Sequence, residues 1–263
     1  MLLVVAAACG PGSRSNPGGD VDATPAPDSP DNGGNGEVTF VYAHTASELY
    51  KVDPDTLQIM RIGAFQWPGL TDQMTDLAID KTGRMIGISF GSVYQVDPVT
   101  ARATRLSGGL AGQFNGMSFV PADMLGLTGD DVLIGTRNTD GVVSRIDPMT
   151  GQATAVGDMG AQFQSSGDLV AIAGFGTVQT TPGASGDMLA RLAPLTFNAM
   201  PSPNSTGFGQ IWGVAFWKGT VFGFTKGGQF VTIDPNTGIG KLVQSNGPEW
   251  WGAAVITTAP VIE

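Results

Sequence analysis

The segment YKVDPDT at residues 50–56 is repeated along the chain. Close copies are YQVDPVT at 94–100, SRIDPMTG at 144–151 and VTIDPNTG at 231–238. A degenerate copy that lacks the aspartate, ARLAPLT, occupies residues 190–196. The positions equivalent to Asp53 therefore follow one another at intervals of 44, 50, 46 and 41 residues. A regular period of this length predicts an array of equivalent structural units.

Each period also carries short apolar runs that are suited to buried β-strands. The first run occurs at 76–79, 116–119, 168–171 and 213–216, and the second at 85–90, 132–136, 175–179 and 221–225. With one strand before each Asp-Pro pair and one after it, each unit contains four strands. Four short strands in about 45 residues are typical of a β-propeller blade.

The two ends of the repeat predict how the ring closes. The first unit begins with VTFVY at 38–42, which matches the second strand of a blade. The missing first strand is supplied by WGAAVI at 251–256, which matches WGVAF at 212–216. We therefore predict an all-β, five-bladed propeller of four-stranded blades in which the C-terminal strand completes blade one. Such closure removes the free sheet edges of an open array.

The repeated Asp-Pro-x-Thr-Gly motif predicts a hairpin between the third and fourth strands of a blade. An aspartate at the first position of a type I turn accepts hydrogen bonds from backbone N–H groups ahead of it. Proline presets φ at the second position, and glycine adopts the left-handed conformation that returns the chain. We interpret the motif as structural, and not as a calcium or ligand site.

The composition agrees with a turn-rich β fold and excludes several classes of protein. Glycine supplies 39 of 263 residues, and 23 acidic residues outnumber 13 basic ones for a net charge of -10. This balance argues against a helical bundle and against a nucleic-acid-binding protein. The chain has one cysteine, Cys9, and one histidine, His44, so disulfides within the chain and multi-histidine or thiolate metal sites are excluded. We expect neither a cofactor nor a metal.

The N-terminal residues predict a membrane anchor followed by a spacer. The sequence MLLVVAAAC at 1–9 resembles the lipobox of bacterial lipoproteins, which implies that Cys9 is lipidated and that the segment before it is removed. Residues 10–36 are rich in Gly, Pro and Asp and predict a disordered linker before a propeller domain at 37–263. Gly10 after the cysteine implies outer-membrane sorting under that family's rule. The domain would then lie in the periplasm or at the cell surface.

Over residues 38–259 the repeats resemble bacterial β-propellers with Asp-Pro-x-Thr-Gly hairpins, such as quinoprotein-like and related secreted propellers. The resemblance implies the architecture and leaves the function open, because propellers support many unrelated activities. A quinone-dependent dehydrogenase is disfavoured, since those propellers are much larger.

Candidate ligand-binding residues lie in the loops that enter the first strands and that follow the second strands, because these loops meet at one mouth of a propeller. They are Asp76, Asn115, Asp168, Trp212, Trp251, His44, Arg137 and Lys226. Asp72, Asn138, Glu249 and Trp250 are expected close by. Carboxylates, cations and aromatic rings around one opening predict a surface for a polar or sugar-like ligand. The competing interpretation is packing, in which tryptophans wedge between blades.

Three functions remain open from the sequence. The first is a lipid-anchored, non-enzymatic binding or scaffold protein with an envelope protein as partner, favoured because no convincing catalytic set is present. The second is a glycan-binding, lectin-like propeller that uses the tryptophans and acids of the mouth. The third is a glycoside hydrolase using Asp76 and Asp168. That chemistry needs carboxyl groups about 5–5.5 Å apart for retention or about 6.5–9.5 Å apart for inversion.

Overall fold

Five antiparallel sheets of four strands each are arranged as the blades of a β-propeller in the computed structural model, which describes residues 40–262. The anchor segment 1–9, with Cys9, the whole linker 10–36 and the start of the predicted domain at 37–39 lie outside these residues. Outside the strands there is one 3-10 helix in residues 40–262, at Ala122–Leu125. Within the same range, no helix has the length and hydropathy needed to cross a membrane.

The strands follow one another blade by blade along the chain. Blade one contains β1 (Val41–His44), β2 (Glu48–Val52) and β3 (Ile59–Ala64). Blade two contains β4 (Asp76–Ile79), β5 (Met85–Ile88), β6 (Val93–Val96) and β7 (Ala103–Ser107). Blade three contains β8 (Gly116–Val120), β9 (Val132–Thr136), β10 (Val142–Ile146) and β11 (Ala153–Asp158). Blade four contains β12 (Leu169–Ile172), β13 (Gly176–Thr181), β14 (Met188–Leu192) and β15 (Ala199–Pro201). Blade five contains β16 (Ile211–Trp217), β17 (Thr220–Thr225), β18 (Phe230–Ile233) and β19 (Gly240–Gln244), and the chain ends with β20 (Gly252–Ala254).

The ring closes through β20, which is the innermost strand of blade one. It pairs antiparallel with β1 in the register Tyr42↔Ala254, Ala43↔Ala253 and His44↔Gly252. The order of the first sheet is therefore β20-β1-β2-β3, so blade one is built from both ends of the domain. The prediction of five four-stranded blades completed by the C-terminal strand is confirmed.

The Asp-Pro hairpins have the hydrogen bonds expected of a structural turn. In blade two, Asp97 Oδ1 accepts from the N–H groups of Val99 (2.8 Å) and Thr100 (3.1 Å). The backbone closes the same turn, because the Ala101 N–H donates to the Asp97 carbonyl at 2.9 Å. Asp53, Asp147 and Asp234 make the equivalent side-chain bonds in their blades.

The left-handed position at the end of the hairpin is not reserved for glycine. Gly151 and Gly238 adopt it with φ of 75° and 81°, but Leu57, Ala101 and Phe197 adopt it as well, with φ of 60°, 58° and 62°. A left-handed residue with a side chain costs roughly 1–2 kcal/mol. The paired strands on both sides of the turn impose the conformation, so the sequence expectation of glycine holds in only two of the five blades.

The core lies between neighbouring blades, because each inner strand is buried on both faces. Strands β4, β8 and β12 are buried along their whole length. The largest apolar cluster joins blades four, five and one, and it includes Phe216, Phe224 and Trp250. Apolar inner strands thereby hold the propeller together, and the few polar groups among them stand out.

Candidate binding site

Five equivalent residues surround the axis of the propeller where the inner strands begin. They are Asp76, Gly116, Asp168, Gly213 and Gly252. Their second-strand partners include His44 opposite Gly252 and Thr136 opposite Gly116. Space at this level is limited, since a Cβ atom at Gly252 would overlap both His44 Nε2 and Asp76 Oδ1. Three glycines therefore leave room on the axis for two carboxyl groups.

Asp168 is completely buried and is held by the backbone of three blades. Its Oδ1 accepts from the N–H groups of Leu169 (2.6 Å) and Met117 (3.4 Å), and its Oδ2 accepts from the Val214 N–H at 2.8 Å. Three backbone donors stabilise negative charge on this carboxyl group. Burial nevertheless raises its pKa above the usual value.

Asp76 is also completely buried. Its Oδ1 accepts one backbone hydrogen bond, from the Leu77 N–H at 2.8 Å. Burial raises the pKa of Asp76 well above its usual value, and the neighbouring negative charge of Asp168 raises it further. With fewer donors than Asp168, Asp76 is the member of the pair that holds a proton more tightly.

His44 is the last residue of β1 and is completely buried next to Asp76. Its Nδ1 lies 2.9 Å from the Thr45 carbonyl oxygen, so this nitrogen carries the hydrogen, and Nε2 lies 3.9 Å from Asp76 Oδ1. Burial lowers the pKa of the imidazole to about 4. His44 is therefore a neutral residue inside the channel.

A glutamine completes the polar groups around the axis. Gln179 is fully buried on β13, and its Nε2 donates to Ser165 Oγ at 2.8 Å and to the Asp168 carbonyl at 2.9 Å. Its Oε1 accepts from Thr136 Oγ1 at 3.0 Å, which links blades three and four. The only sequence signal for this residue is a polar side chain at the end of the apolar run 175–179.

A cavity of about 220 Å³ opens directly above the carboxyl pair. The residues that precede the five axial positions all contribute to its wall. Phe114 and Ser166 lie one position further back in two of these entry segments, and Phe90 and Asn138 come from loops after second strands. The lining residues are Thr75, Phe90, Phe114, Asn115, Asn138, Ser166, Gly167, Trp212 and Trp251. Aromatic rings and uncharged polar groups form this wall, so the cavity can contact apolar and hydroxyl-bearing parts of one ligand.

Two tryptophans from neighbouring blades form one side of the cavity. Trp212 and Trp251 meet edge to face, with ring centroids 6.1 Å apart and an interplanar angle of 86°. Both are only partly buried, so ring surface remains available. Trp250 is different, because it is buried against Tyr50 and Phe224 and belongs to the core. The contact of Trp212 with Trp251 between neighbouring blades agrees with the packing interpretation, and the partly exposed rings also line the cavity.

The sequence-predicted residues lie in three places, namely in the wall of the cavity, beneath the cavity and outside its wall. Asn115, Trp212 and Trp251 line the cavity. Asp76, Asp168 and His44 lie beneath it and are buried, so they form no part of an open surface.

The two predicted cations lie outside the wall of the cavity. Lys226 Nζ is 4.6 Å from the Trp212 ring centroid and 4.0 Å from Glu249 Oε1. Arg137 pairs with Asp140 at 2.7 Å, and its neighbour Asn138 lines the cavity.

Sequence reasoning missed several lining residues for a physical reason. Thr75 and Gly167 precede the axial aspartates, so the blade alignment contained a signal for them. Phe90 and Phe114 were indistinguishable from core aromatics in the sequence. Phe114 is buried, whereas 53% of Phe90 is exposed at the edge of the cavity. Asp72, also expected near the mouth, accepts a hydrogen bond from the Tyr94 hydroxyl at 2.7 Å.

Asp76 and Asp168, the residues considered for glycoside hydrolysis, are both completely buried, and neither lines the cavity. Within residues 40–262, no group of three His, Cys, Asp or Glu side chains is arranged to hold a metal ion.

The comparisons with known proteins bear on the fold. No protein-family model matches the chain, and no curated protein matches it. A solved structure described as "The de novo evolutionary emergence of a symmetrical protein is shaped by folding constraints" matches with a TM-score of 0.54 and 15% identity. Another, "Crystal structure of Nidogen/Laminin Complex", matches with a TM-score of 0.53 and 10% identity. Each match covers 86% of this chain and 100% of the other. At these identities the likeness establishes the fold alone.

Proposed function

We propose that this chain is a lipid-anchored protein of the bacterial cell envelope that acts as a non-enzymatic binding protein through the cavity at its mouth. The observation that carries this proposal is the cavity wall itself, in which the Trp212–Trp251 pair stands beside amide and hydroxyl groups. Neither of the buried carboxyl groups reaches this wall, so the residues support binding and offer no reactive group to a ligand.

The chemistry of the wall favours a sugar as the ligand. The apolar faces of a sugar ring match the faces of aromatic side chains, and its hydroxyl groups match the amides of Asn115 and Asn138. No charged side chain of residues 40–262 belongs to the lining, which favours a neutral ligand. A volume of about 220 Å³ lies below the usual range for drug-sized ligands and suits one sugar unit of a larger glycan.

Glycan-array screening followed by titration calorimetry tests the binding site. We expect a neutral glycan to bind, and Trp212→Ala and Trp251→Ala to weaken binding at least tenfold, since each removes a contact surface worth about 1.5 kcal/mol or more. Trp217→Ala is the matched control, because Trp217 lies at the far end of β16 and donates through Nε1 to Asp55. Equal losses in all three variants would contradict a site at the mouth.

The alternative is a scaffold whose partner is an envelope protein. In that case no glycan binds. A protein captured from envelope extract by the unmodified chain would then be lost in the Trp212→Ala variant only if it docks at the mouth. Capture that is insensitive to both mouth tryptophans would place the partner elsewhere on the propeller and would overturn the cavity as the functional site.

The anchor is proposed from the sequence alone. Its support is the apolar run before Cys9 and the spacer 10–36, which has almost no large apolar residue. Acyl chains would supply about 0.8 kcal/mol of membrane affinity per buried methylene group. Incorporation of labelled palmitate into the unmodified chain, lost in Cys9→Ser, is the expected result. Sedimentation with outer membranes on a density gradient tests the sorting expected from Gly10.

A further inference from the structure

Two completely buried aspartates lie at equivalent positions around the axis. Asp76 belongs to blade two and Asp168 to blade four, and the negative charge of Asp168 raises the pKa of Asp76. An ionised carboxylate is only an acceptor, so a hydrogen bond between these two groups requires one of them to carry a hydrogen. Both side chains have no exposed surface, so water does not substitute for that hydrogen from the outside.

The acceptor bonds show which member carries the hydrogen. Asp168 accepts from three backbone N–H groups, so one of the four lone-pair positions of an ionised carboxylate is left for a hydrogen from Asp76. Asp76 accepts through Oδ1 from one N–H group. In the part of the chain that the structure describes, Asp76 Oδ2 is buried and receives no hydrogen bond. That oxygen is free to be the donor.

We propose that Asp76 and Asp168 form a single-proton site at the propeller axis, in which the carboxylic acid of Asp76 donates to the carboxylate of Asp168 and so fastens the inner strands of the ring together. Through these two side chains, blades two, three, four and five are joined by hydrogen bonds, and His44 of blade one packs against Asp76. This fastening is independent of any ligand at the mouth.

Among residues 40–262, one other titratable group faces the pair. His44, from β1, lies beside Asp76 and is neutral because its burial lowers the pKa to about 4. The remaining residues that surround the pair from the adjacent strands are uncharged, namely Gly116, Met117, Thr136, Gln179, Thr180, Val214 and Gly252. No cation is present among them to compensate a second negative charge, so the pair retains one proton.

The consequence is that folding takes up a proton at neutral pH. An aspartate in the unfolded chain is ionised above a pH of about 4, whereas Asp76 stays protonated in the folded protein. The unfolding equilibrium constant should therefore increase about tenfold per pH unit above the range where His44 titrates. Loss of this proton places two carboxylates in contact, and their repulsion opens the fastening.

Two aspartate-to-asparagine variants of the full-length protein test the assignment because the two members have opposite roles. In Asp76→Asn the amide is a permanent donor to Asp168 that needs no proton uptake, so we expect higher stability than that of the unmodified protein at pH 7 and a loss of the tenfold dependence. In Asp168→Asn an amide must face backbone donors, so we expect the unfolding constant to rise by more than about tenfold. Denaturant titrations from pH 6.5 to 9 measure both.

Infrared spectroscopy checks the proton directly and does not depend on whether the variants fold. The unmodified protein should show a protonated-carboxyl C=O stretching band at pH 7 that disappears in strong alkali. Asp187→Asn is the control, since Asp187 is another buried carboxylate that accepts the Ile211 N–H at 2.7 Å, and the band should persist in it. Absence of the band in the unmodified protein, or a larger loss of stability in Asp76→Asn than in Asp168→Asn, would overturn the proposal.

Discussion

Aspartate has opposite roles in two regions of this propeller, namely the Asp-Pro hairpins between the third and fourth strands, here called the rim, and the axis. At the rim, Asp97 is an exposed turn residue, and hydrogen bonds from the Val99 and Thr100 N–H groups lower its pKa. At the axis, Asp76 and Asp168 are buried, and desolvation raises the pKa of each. The same side chain therefore favours its charged form in one region and is driven toward its neutral form in the other. Accessibility to water decides which of the two forms is favoured.

The largest expected effect comes from removing the axial carboxylate. Asp168→Ala leaves three buried N–H donors and the Asp76 carboxyl group without their acceptor, which we expect to lower the free energy of unfolding by about 3–5 kcal/mol. Urea unfolding followed by tryptophan fluorescence measures the change. A loss as small as that of a rim aspartate would show that the two regions are energetically alike.

A glycine at the axis should also be less tolerant than one in an outer strand. Gly252→Ala would press a methyl group against His44 and Asp76, and overpacking of this kind lowers stability by about 1–3 kcal/mol. Gly63→Ala, in the outer strand of the same blade, has open space around it and should change little. Thermal unfolding of the two variants compares them, and equal melting temperatures would contradict a crowded axis.

The two regions should respond to pH in opposite directions. Rim carboxylates with lowered pKa contribute stability above a pH of about 4 and lose it as pH falls further. Burial lowers the pKa of His44, so the folded protein holds this side chain in its neutral form. This contribution adds stability as the pH rises from about 4 to 6.5.

Above that range, the raised pKa of Asp76 means that the folded state holds a proton which the unfolded state has released. Stability should therefore fall by about 1.4 kcal/mol per pH unit. Unfolding free energies measured between pH 6.5 and 9 would contradict this if they increased.

A single rim aspartate should contribute modestly. Asp97→Ala removes two hydrogen bonds to the hairpin backbone, at 2.8 and 3.1 Å, and we expect a loss of about 1 kcal/mol because the turn is exposed. Asp97→Asn retains an acceptor and should lose less. Chemical denaturation of both variants measures the difference, and a loss of several kcal/mol would give the hairpin an importance that its exposure does not support.

The smallest effect is a gain in the hairpin that has lost its aspartate. Blade four has Ala193 at that position, and Leu195 adopts φ of 70°, a left-handed value that the equivalent residues of the other blades do not share. Ala193→Asp supplies the missing acceptor for the turn N–H groups and should raise stability by about 0.5 kcal/mol. Ala193→Ser, with a weaker acceptor, is the control. A decrease in melting temperature for the aspartate variant would refute this account.

Much of the architecture could be predicted from the sequence because the blades repeat a local pattern. The hairpin residues around Asp53, Asp97, Asp147 and Asp234 contact each other within a few positions, so their spacing in sequence reflects their spacing in space. The match between 251–256 and 212–216 also predicted ring closure, since equivalent strands occupy equivalent positions. Because the blades repeat, the long-range strand pairing that closes the ring could be predicted by comparing two short segments.

Only part of the candidate site could be predicted from the sequence. The blade alignment brought Asn115, Trp212 and Trp251 to one opening, and the cavity contains all three. The same alignment could not tell that Asp76 and Asp168 are both completely buried, because they come from non-adjacent blades. Nor could it separate Trp250, a core residue, from Trp251, its neighbour at the mouth.

The sequence by itself determined the number of blades, the four strands in each and the closure by the C-terminal strand, because these depend on local propensities and on a repeated apolar pattern. Only the tertiary structure decided the state of the axial groups. The burial of His44 and Asp76 and the donors that converge on Asp168 arise when the ring closes. Desolvation and hydrogen bonding act through space between residues far apart in the chain, and residue order alone does not encode those distances.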